Sequence, residues 1–340
     1  MSDPNVDPEK RDVGQRSQVD THTPAEKLAD VSLDPELRSD DEAKGVPDAE
    51  ASLTSDVSED VAPAVEEFMA VAAEQNEAAA EEIAGQDNNV EVAPYISFEE
   101  VSKAFGDLKV LESVSFFVKP GETLCILGRS GVGKSVSLQM LMGFLKADSG
   151  RIRVAGEDIC AFNEKQMQEI RKKVTMVFQN GALFDSITVG ENVAFPLREK
   201  GELDEEQMRQ IVKGLLEMVG VAGMDDLLPS DLSTGMKRSV AIARALASQP
   251  EAVLYDEPTT MVDPLMAHLL GNLIMRLKDQ LHLTSIVVTH DMRLAEKLAD
   301  RIFFLHEGKA VFFGTMEEMR KSEDPIVKEF LALDDLVLPV

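Results

Sequence analysis

The chain has 340 residues and a formal net charge of −28, from 62 acidic and 34 basic residues. That balance argues against non-specific binding to nucleic acid, because both partners would repel. Cys125 and Cys160 are the two cysteines; they stand 35 residues apart, without zinc spacing or a disulfide framework, as a reducing cytoplasm allows.

The charge is uneven. Residues 1–93 hold 25 acidic and 6 basic side chains, −19 of the total, with Phe68 as their one aromatic residue. Such a stretch buries too little apolar surface to offset its ordering entropy, and it reads as a disordered acidic tail. Within it, Ala64 to Ala84 places Val65, Phe68, Met69, Ala72 and Ala73 at roughly helical spacing. Its Ala/Glu composition favours solvated low-complexity sequence over a transient or partner-induced helix. Deleting the tail is therefore expected to leave the stability of 94–340 unchanged. The first thirty residues lack an apolar run, so no signal peptide is expected. No window reaches the roughly 18 apolar residues of a membrane span.

Order is expected from Tyr95. Ile96, Phe98 and Val101, then Val110, Leu111, Val114 and Phe116, alternate with polar residues as antiparallel strands do. Phe105, 29 residues before Lys134, sits between them in a short loop. An aromatic there suits either stacking on an adenine ring or covering the core at a sheet edge.

Thr123-Leu124-Cys125-Ile126-Leu127 is an apolar run of strand length, and good helix formers follow from Leu138. Between them lie Gly128, Arg129, Ser130, Gly131, Val132, Gly133, Lys134 and Ser135, a match to the phosphate-binding loop G-x-x-x-x-G-K-[ST]. Strand, glycine turn and helix aim main-chain N–H groups at one point, where a polyphosphate is stabilised. Lys134 is placed to reach the β- and γ-phosphates, and the Ser135 hydroxyl to ligate Mg²⁺.

Val174 to Phe178 is a further β-rich run ending on Gln179, a polar residue aimed into a nucleotide crevice if the strand is parallel. From Glu191 to Leu246 the pattern is helical, and Leu232-Ser233-Thr234-Gly235 opens its last helix with Ser233 at the N-cap. Ala252 to Tyr255 is an apolar strand ending on Asp256 and Glu257. Carboxylates at that position suit metal coordination by Asp256 and activation of a water by Glu257. Ser285 to Thr289 is another buried strand, followed by His290, read as a sensor of the γ-phosphate. Arg301–Leu305 and Ala310–Phe313 flank Glu307-Gly308-Lys309 as a hairpin.

At the C-terminal end Ile326, Val327, Phe330 and Leu331 make an apolar stripe on a short helix. Leu333, Leu336, Val337, Leu338 and Val340 continue it as an apolar terminus. That surface has to be covered, by the subunit's own core or by a partner. The expectation is that Leu336–Val340 packs on the opposing subunit of a dimer or on another subunit.

These pieces, in this order, resemble the nucleotide-binding subunit of an ABC transporter. The resemblance runs from about Tyr95 to Glu318, about two-thirds of the chain, and rests on combining the phosphate loop with Gln179, Leu232–Gly235, Asp256-Glu257, Asp263 and His290. It implies an α/β P-loop cassette at 94–320: a RecA-like core, an antiparallel β subdomain and a helical subdomain at about 180–246. The tail at 1–93 precedes it and an apolar extension at 321–340 follows. It implies ATP and Mg²⁺ as cofactors, with Phe105 stacking on adenine and Gln179 touching the metal. Ser233 and Gly235 would bind the γ-phosphate of ATP held by the other subunit, Asp263 would bridge the dimer, and His290 would contact the γ-phosphate. Two departures stand out: Thr234 where the family's signature has glycine, and Met261-Val262 where it has Gly-Leu.

Asn180 to Glu199 and Tyr255 to Thr260 carry a finer resemblance, to the ATPases paired with MCE-domain lipid transporters, including the maintenance-of-lipid-asymmetry system. The reading is a cytoplasmic ABC ATPase on the inner face of the plasma membrane, without a span of its own. It dimerises on ATP and drives phospholipid movement through separate membrane permease subunits and an MCE-domain protein. The alternatives are an uptake ATPase for amino acids or other small polar solutes, and a non-transport ABC ATPase acting on nucleic acid or ribosomes. The single cassette and the lack of a basic face count against the latter. A regulatory module that does not turn over is a third reading, opposed by the intact Glu257 and His290.

Overall fold

The computed structural model describes residues 62–85 and 93–335. In chain order these form α1 (Ala62–Gly85), β1 (Ile96–Phe105), β2 (Leu108–Val118), β3 (Thr123–Leu127), α2 (Lys134–Leu141), β4 (Ser149–Val154), β5 (Glu157–Asp158), α3 (Glu164–Lys173) and β6 (Val174–Val177). The helices α4 (Val189–Lys200), α5 (Glu205–Met218) and α6 (Thr234–Leu246) follow. Then come β7 (Ala252–Asp256), α7 (Pro264–Leu281), β8 (Thr284–Thr289), α8 (Met292–Leu298), β9 (Arg301–His306), β10 (Lys309–Gly314), α9 (Met316–Arg320) and α10 (Pro325–Asp335).

Two sheets carry the fold. One is the six-stranded sheet β10-β9-β3-β8-β7-β6, parallel except for the β9–β10 hairpin. The other is the sheet β2-β1-β4-β5, antiparallel throughout. Every residue of β3 and β8 is buried, which explains why both read as unbroken apolar runs: parallel strands covered on both faces have no solvent side. Successive side chains of β3 go to opposite faces. Leu124 and Ile126 join the cluster under β1, β2 and α2, while Cys125 and Leu127 join the one packed by α5, α6 and α7. The carboxyl ends of β3, β6, β7 and β8 lie in register along one edge, so the residues that follow them share a rim.

The disordered-tail expectation does not hold for residues 62–85. They form α1, which buries Val65, Met69, Ala72, Asn76 and Ile83 on one face. Val65 seats over Gly214 of α5, where an added Cβ would lie 2.5 Å from the valine's. Asn76 Nδ2 donates to the carbonyl of Leu281 at the end of α7, at 2.7 Å, and Gln249 Nε2 donates to the carbonyl of Phe68 at 2.9 Å. Glu77 pairs with His282 at 3.2 Å. Val65 and Met69 belong to one core cluster and Ile83 to the other, so one helix spans both. Composition misled because the docking groove is non-local: small and moderately apolar residues suffice where the facing surface is a glycine. Residues 1–61 and 86–92 lie outside the described residues.

The C-terminal stripe docks on its own subunit. Val327 is fully buried in the core, Ile326, Phe330 and Leu331 pack against it, and the Phe330 ring is 4.5 Å from that of Phe304. Leu336–Val340, expected to reach a partner, lie outside the described residues.

Candidate nucleotide site

The turn between β3 and α2 is built for close approach. Gly128 has φ +156°, and a Cβ there would sit 2.4 Å from the Leu305 carbonyl oxygen. Gly133 has φ +107°, with the Val110 carbonyl oxygen 2.8 Å from where its Cβ would be. Side chains at either position would push the loop away from the strands that shape it.

A cavity of about 580 Å³ opens over this turn, and Gly128, Lys134, Ser135, Gln179, Glu257 and His290 line it. The sheet edge accounts for the gathering: each residue is at, or one or two places past, the carboxyl end of a parallel strand or on the helix that follows. Lys134 is 5% exposed; its Nζ donates to the carbonyls of Gly128 at 2.8 Å and Arg129 at 3.1 Å, and lies 3.3 Å from Glu257 Oε1. The Ser135 hydroxyl donates to Asp256 Oδ1 at 2.8 Å. Burial pushes the Asp256 carboxyl above the usual carboxylate range and outweighs the Ser135 hydrogen bond, which pulls the other way. A cation beside it would relieve that cost.

Glu257 sits just past β7 in the left-handed region, φ 49°, with its N–H donating to the Val288 carbonyl at 2.9 Å. Its Oε2 accepts from the Thr260 hydroxyl at 2.9 Å and lies 2.8 Å from His290 Nδ1. The carboxylate is thus held from three directions and faces the cavity with the Lys134 ammonium. Thr260 was not singled out by sequence, since a hydroxyl three residues past a carboxylate reads as turn chemistry until the turn is folded. Phe330, from the C-terminal helix, also lines the cavity, and its neighbour Glu329 pairs with Arg129 at 2.9 Å.

Four expected site residues are elsewhere. Phe105 is exposed at the end of β1, with Lys103 Nζ 5.5 Å from its ring centroid, and Val110 of the next strand lines the cavity instead. Ser233 caps α6, accepting from the Met236 N–H at 3.3 Å. Gly235 is buried against Met266, whose Cε would be 2.8 Å from an added Cβ. Asp263 caps α7, accepting from the Met266 N–H at 2.9 Å.

Lys134→Ala removes the ammonium that the loop presents to phosphate. Each charge-assisted hydrogen bond is worth about 1.5–3 kcal/mol, so nucleotide affinity is expected to fall about tenfold or more, read by titration calorimetry. Unchanged affinity would mean that triphosphate binds elsewhere.

A phosphate loop after β3, paired carboxylates ending β7 one strand beyond β8, and a helical block ending on Leu232–Gly235 together define an ATP-binding cassette. The chain belongs to the ABC transporter family, whose sequence profile matches residues 111–260. Over 226 residues it is 41% identical to the intermembrane phospholipid transport system ATP-binding protein MlaF of Haemophilus influenzae, covering 66% of this chain and 86% of that protein. It is 36% identical over 247 residues to the probable ribonucleotide transport ATP-binding protein mkl of Mycobacterium leprae, covering 73% and 71%. Among solved structures, the dimeric post-hydrolysis state of the cassette MJ0796 bound to ADP and Pi aligns with a TM-score of 0.61 at 30% identity, over 65% of this chain and 98% of that one. CbiO1 of Clostridium perfringens, part of the transporter complex cbiONQ, aligns with a TM-score of 0.62 at 30% identity, over 72% and 97%. As a member of this family the chain binds and hydrolyses ATP.

Proposed function

We propose that this chain is the ATP-hydrolysing subunit of a phospholipid transporter, working as a homodimer beneath a separate membrane permease and its MCE-domain protein. The observation that carries the chemistry is the meeting of Lys134, the Ser135–Asp256 pair and the Glu257–His290 pair around one cavity. Lys134 and the main-chain N–H groups of the loop bind the triphosphate. Glu257 takes the proton of the attacking water, and His290 holds the carboxylate and meets the γ-phosphate. Ser135 and Asp256 present hard oxygen donors beside Gln179, a set that fits Mg²⁺, which when bound supplies charge neutralisation at the phosphates.

The homodimer follows from what the cavity lacks. Ser233 and Gly235 cap and pack their own helix away from it, so a second copy is needed to bring a signature to the phosphates. Met261, 88% exposed with φ 61°, stands out from the surface as an apolar side chain that a second copy would cover. Asp263 belongs to the same surface, and Phe105 is the reading's stacking residue for adenine once nucleotide enters.

Phospholipid as cargo rests on the 41% identity to a phospholipid-system ATPase over 86% of that protein's length. The exposed pair Phe184 and Phe195, with ring centroids 5.2 Å apart, lies in the stretch read as the permease-docking segment, where apolar rings suit a membrane subunit. Among the described residues no helix is long and apolar enough to cross a membrane. The reading puts the chain at the cytoplasmic face, held there by its partners.

Purification of the full chain from its native membranes in mild detergent tests the assignment. The expected co-isolate is a polytopic permease with an MCE-domain protein and bound phospholipid. Recovery of a solute-uptake permease with an amino-acid-binding protein would contradict it.

A further inference from the structure

Arg238 lies on α6, the helix opened by Ser233, yet its side chain belongs to the catalytic rim. It is 4% exposed, and its guanidinium donates to two main-chain carbonyls: Nη1 to Phe178 at 3.0 Å and Nη2 to Thr260 at 3.3 Å. Its Nε is buried without a partner among the described residues. Phe178 immediately precedes Gln179, and the Thr260 hydroxyl is the donor to Glu257 Oε2. A buried guanidinium is costly, and an apolar side chain would fill the same space without that cost. One side chain of the helical subdomain therefore fixes the two loops that end on site residues of the core.

We propose that Arg238 is a positioning residue for ATP hydrolysis, acting on Glu257 through Thr260 and on Gln179 through the Phe178 carbonyl. The inference rests on the reading of Glu257 as the group that takes the water's proton. It makes the placement of α6, and with it of Ser233 and Gly235, a condition for the orientation of the carboxylate. A shift of α6 moves the Thr260 carbonyl, the Thr260 hydroxyl follows, and Glu257 loses the donor that fixes its rotamer.

The test compares Thr260→Val, Thr260→Ser, Arg238→Lys and the Thr260→Val/Arg238→Lys double variant with wild type. It reads kcat, KM for ATP and Tm. Thr260→Val keeps the main-chain carbonyl and the side-chain shape, so it removes only the hydroxyl. Its kcat is expected to fall about tenfold with KM within about twofold. Thr260→Ser restores kcat. Arg238→Lys keeps the charge but cannot span both carbonyls, and should lower kcat by a similar factor. The double variant should be no slower than about its slower parent, because both act along one chain of contacts. Wild-type kcat in Thr260→Val, or multiplicative losses in the double variant, would overturn the proposal. Should Arg238→Lys fail to fold, Arg238→Gln, which is shorter and can donate to at most one of the two carbonyls, takes its place in the comparison. Glu257→Gln is measured alongside: turnover by that variant overturns the underlying reading, whereas an inactive Glu257→Gln beside a fully active Thr260→Val overturns this inference alone.

Discussion

Glu257→Gln is expected to abolish steady-state ATP hydrolysis, lowering kcat by at least about 10²-fold while nucleotide affinity changes by no more than about threefold. Glutamine keeps the shape of the side chain and can still accept from the Thr260 hydroxyl, but it cannot take a proton. The native carboxylate is also the counter-charge to Lys134 at 3.3 Å, so its neutralisation leaves the ammonium freer to hold phosphate. ATP should therefore stay bound, and two copies should stay closed around it. Sedimentation velocity with ATP would read a stable dimer in the variant and a transient one in wild type. Phosphate release at the wild-type rate would remove Glu257 from the mechanism and leave His290 or a water network as the proton acceptor.

Val65→Asp in α1 should destabilise the protein by about 3 kcal/mol, a fall in Tm of roughly 6–12 °C for a folded unit of this size. Val65 is fully buried over Gly214, where a carboxylate meets helix backbone and apolar neighbours instead of water. The variant must either bury an unpaired charge or release the helix. Release also uncovers the surface beneath Met69 and Ala72 and leaves the Leu281 carbonyl without its Asn76 donor. Gly214→Val should produce the same loss from the opposite side of the contact, since its Cβ would occupy the space of the valine. Thermal melts of both variants, with limited proteolysis between residues 62 and 93, make the comparison. Unchanged melting in both would return this segment to the solvated tail that its composition describes.

Much of the nucleotide site was legible in the sequence because its signals are local. Leu124 to Leu127 had to be apolar to lie between two parallel neighbours, and the glycines at 128 and 133 had to be glycine where the backbone turns against β9 and β2. Asp256-Glu257 and His290 followed from the same rule, polar residues at the ends of buried strands. What could not be read was non-local. Arg238 looks like one more charge on an amphipathic helix until the helix is seen to bury it against two loops far away in sequence. The C-terminal stripe announced a buried face without saying that Phe304 would cover it. For α1 the acidic composition of the whole segment outweighed a weak helical pattern, and only the groove at Gly214 explains why it folds.

Transfer of a headgroup-labelled phospholipid between vesicles, catalysed by the purified complex of this chain with its native membrane subunits, tests the central claim most directly. The account predicts transfer that requires ATP, stops with Glu257→Gln, and proceeds alongside ATP hydrolysis stimulated by phospholipid. Transfer that continues unaltered with Glu257→Gln, or hydrolysis stimulated by an amino acid or ribonucleotide and indifferent to phospholipid, would contradict it.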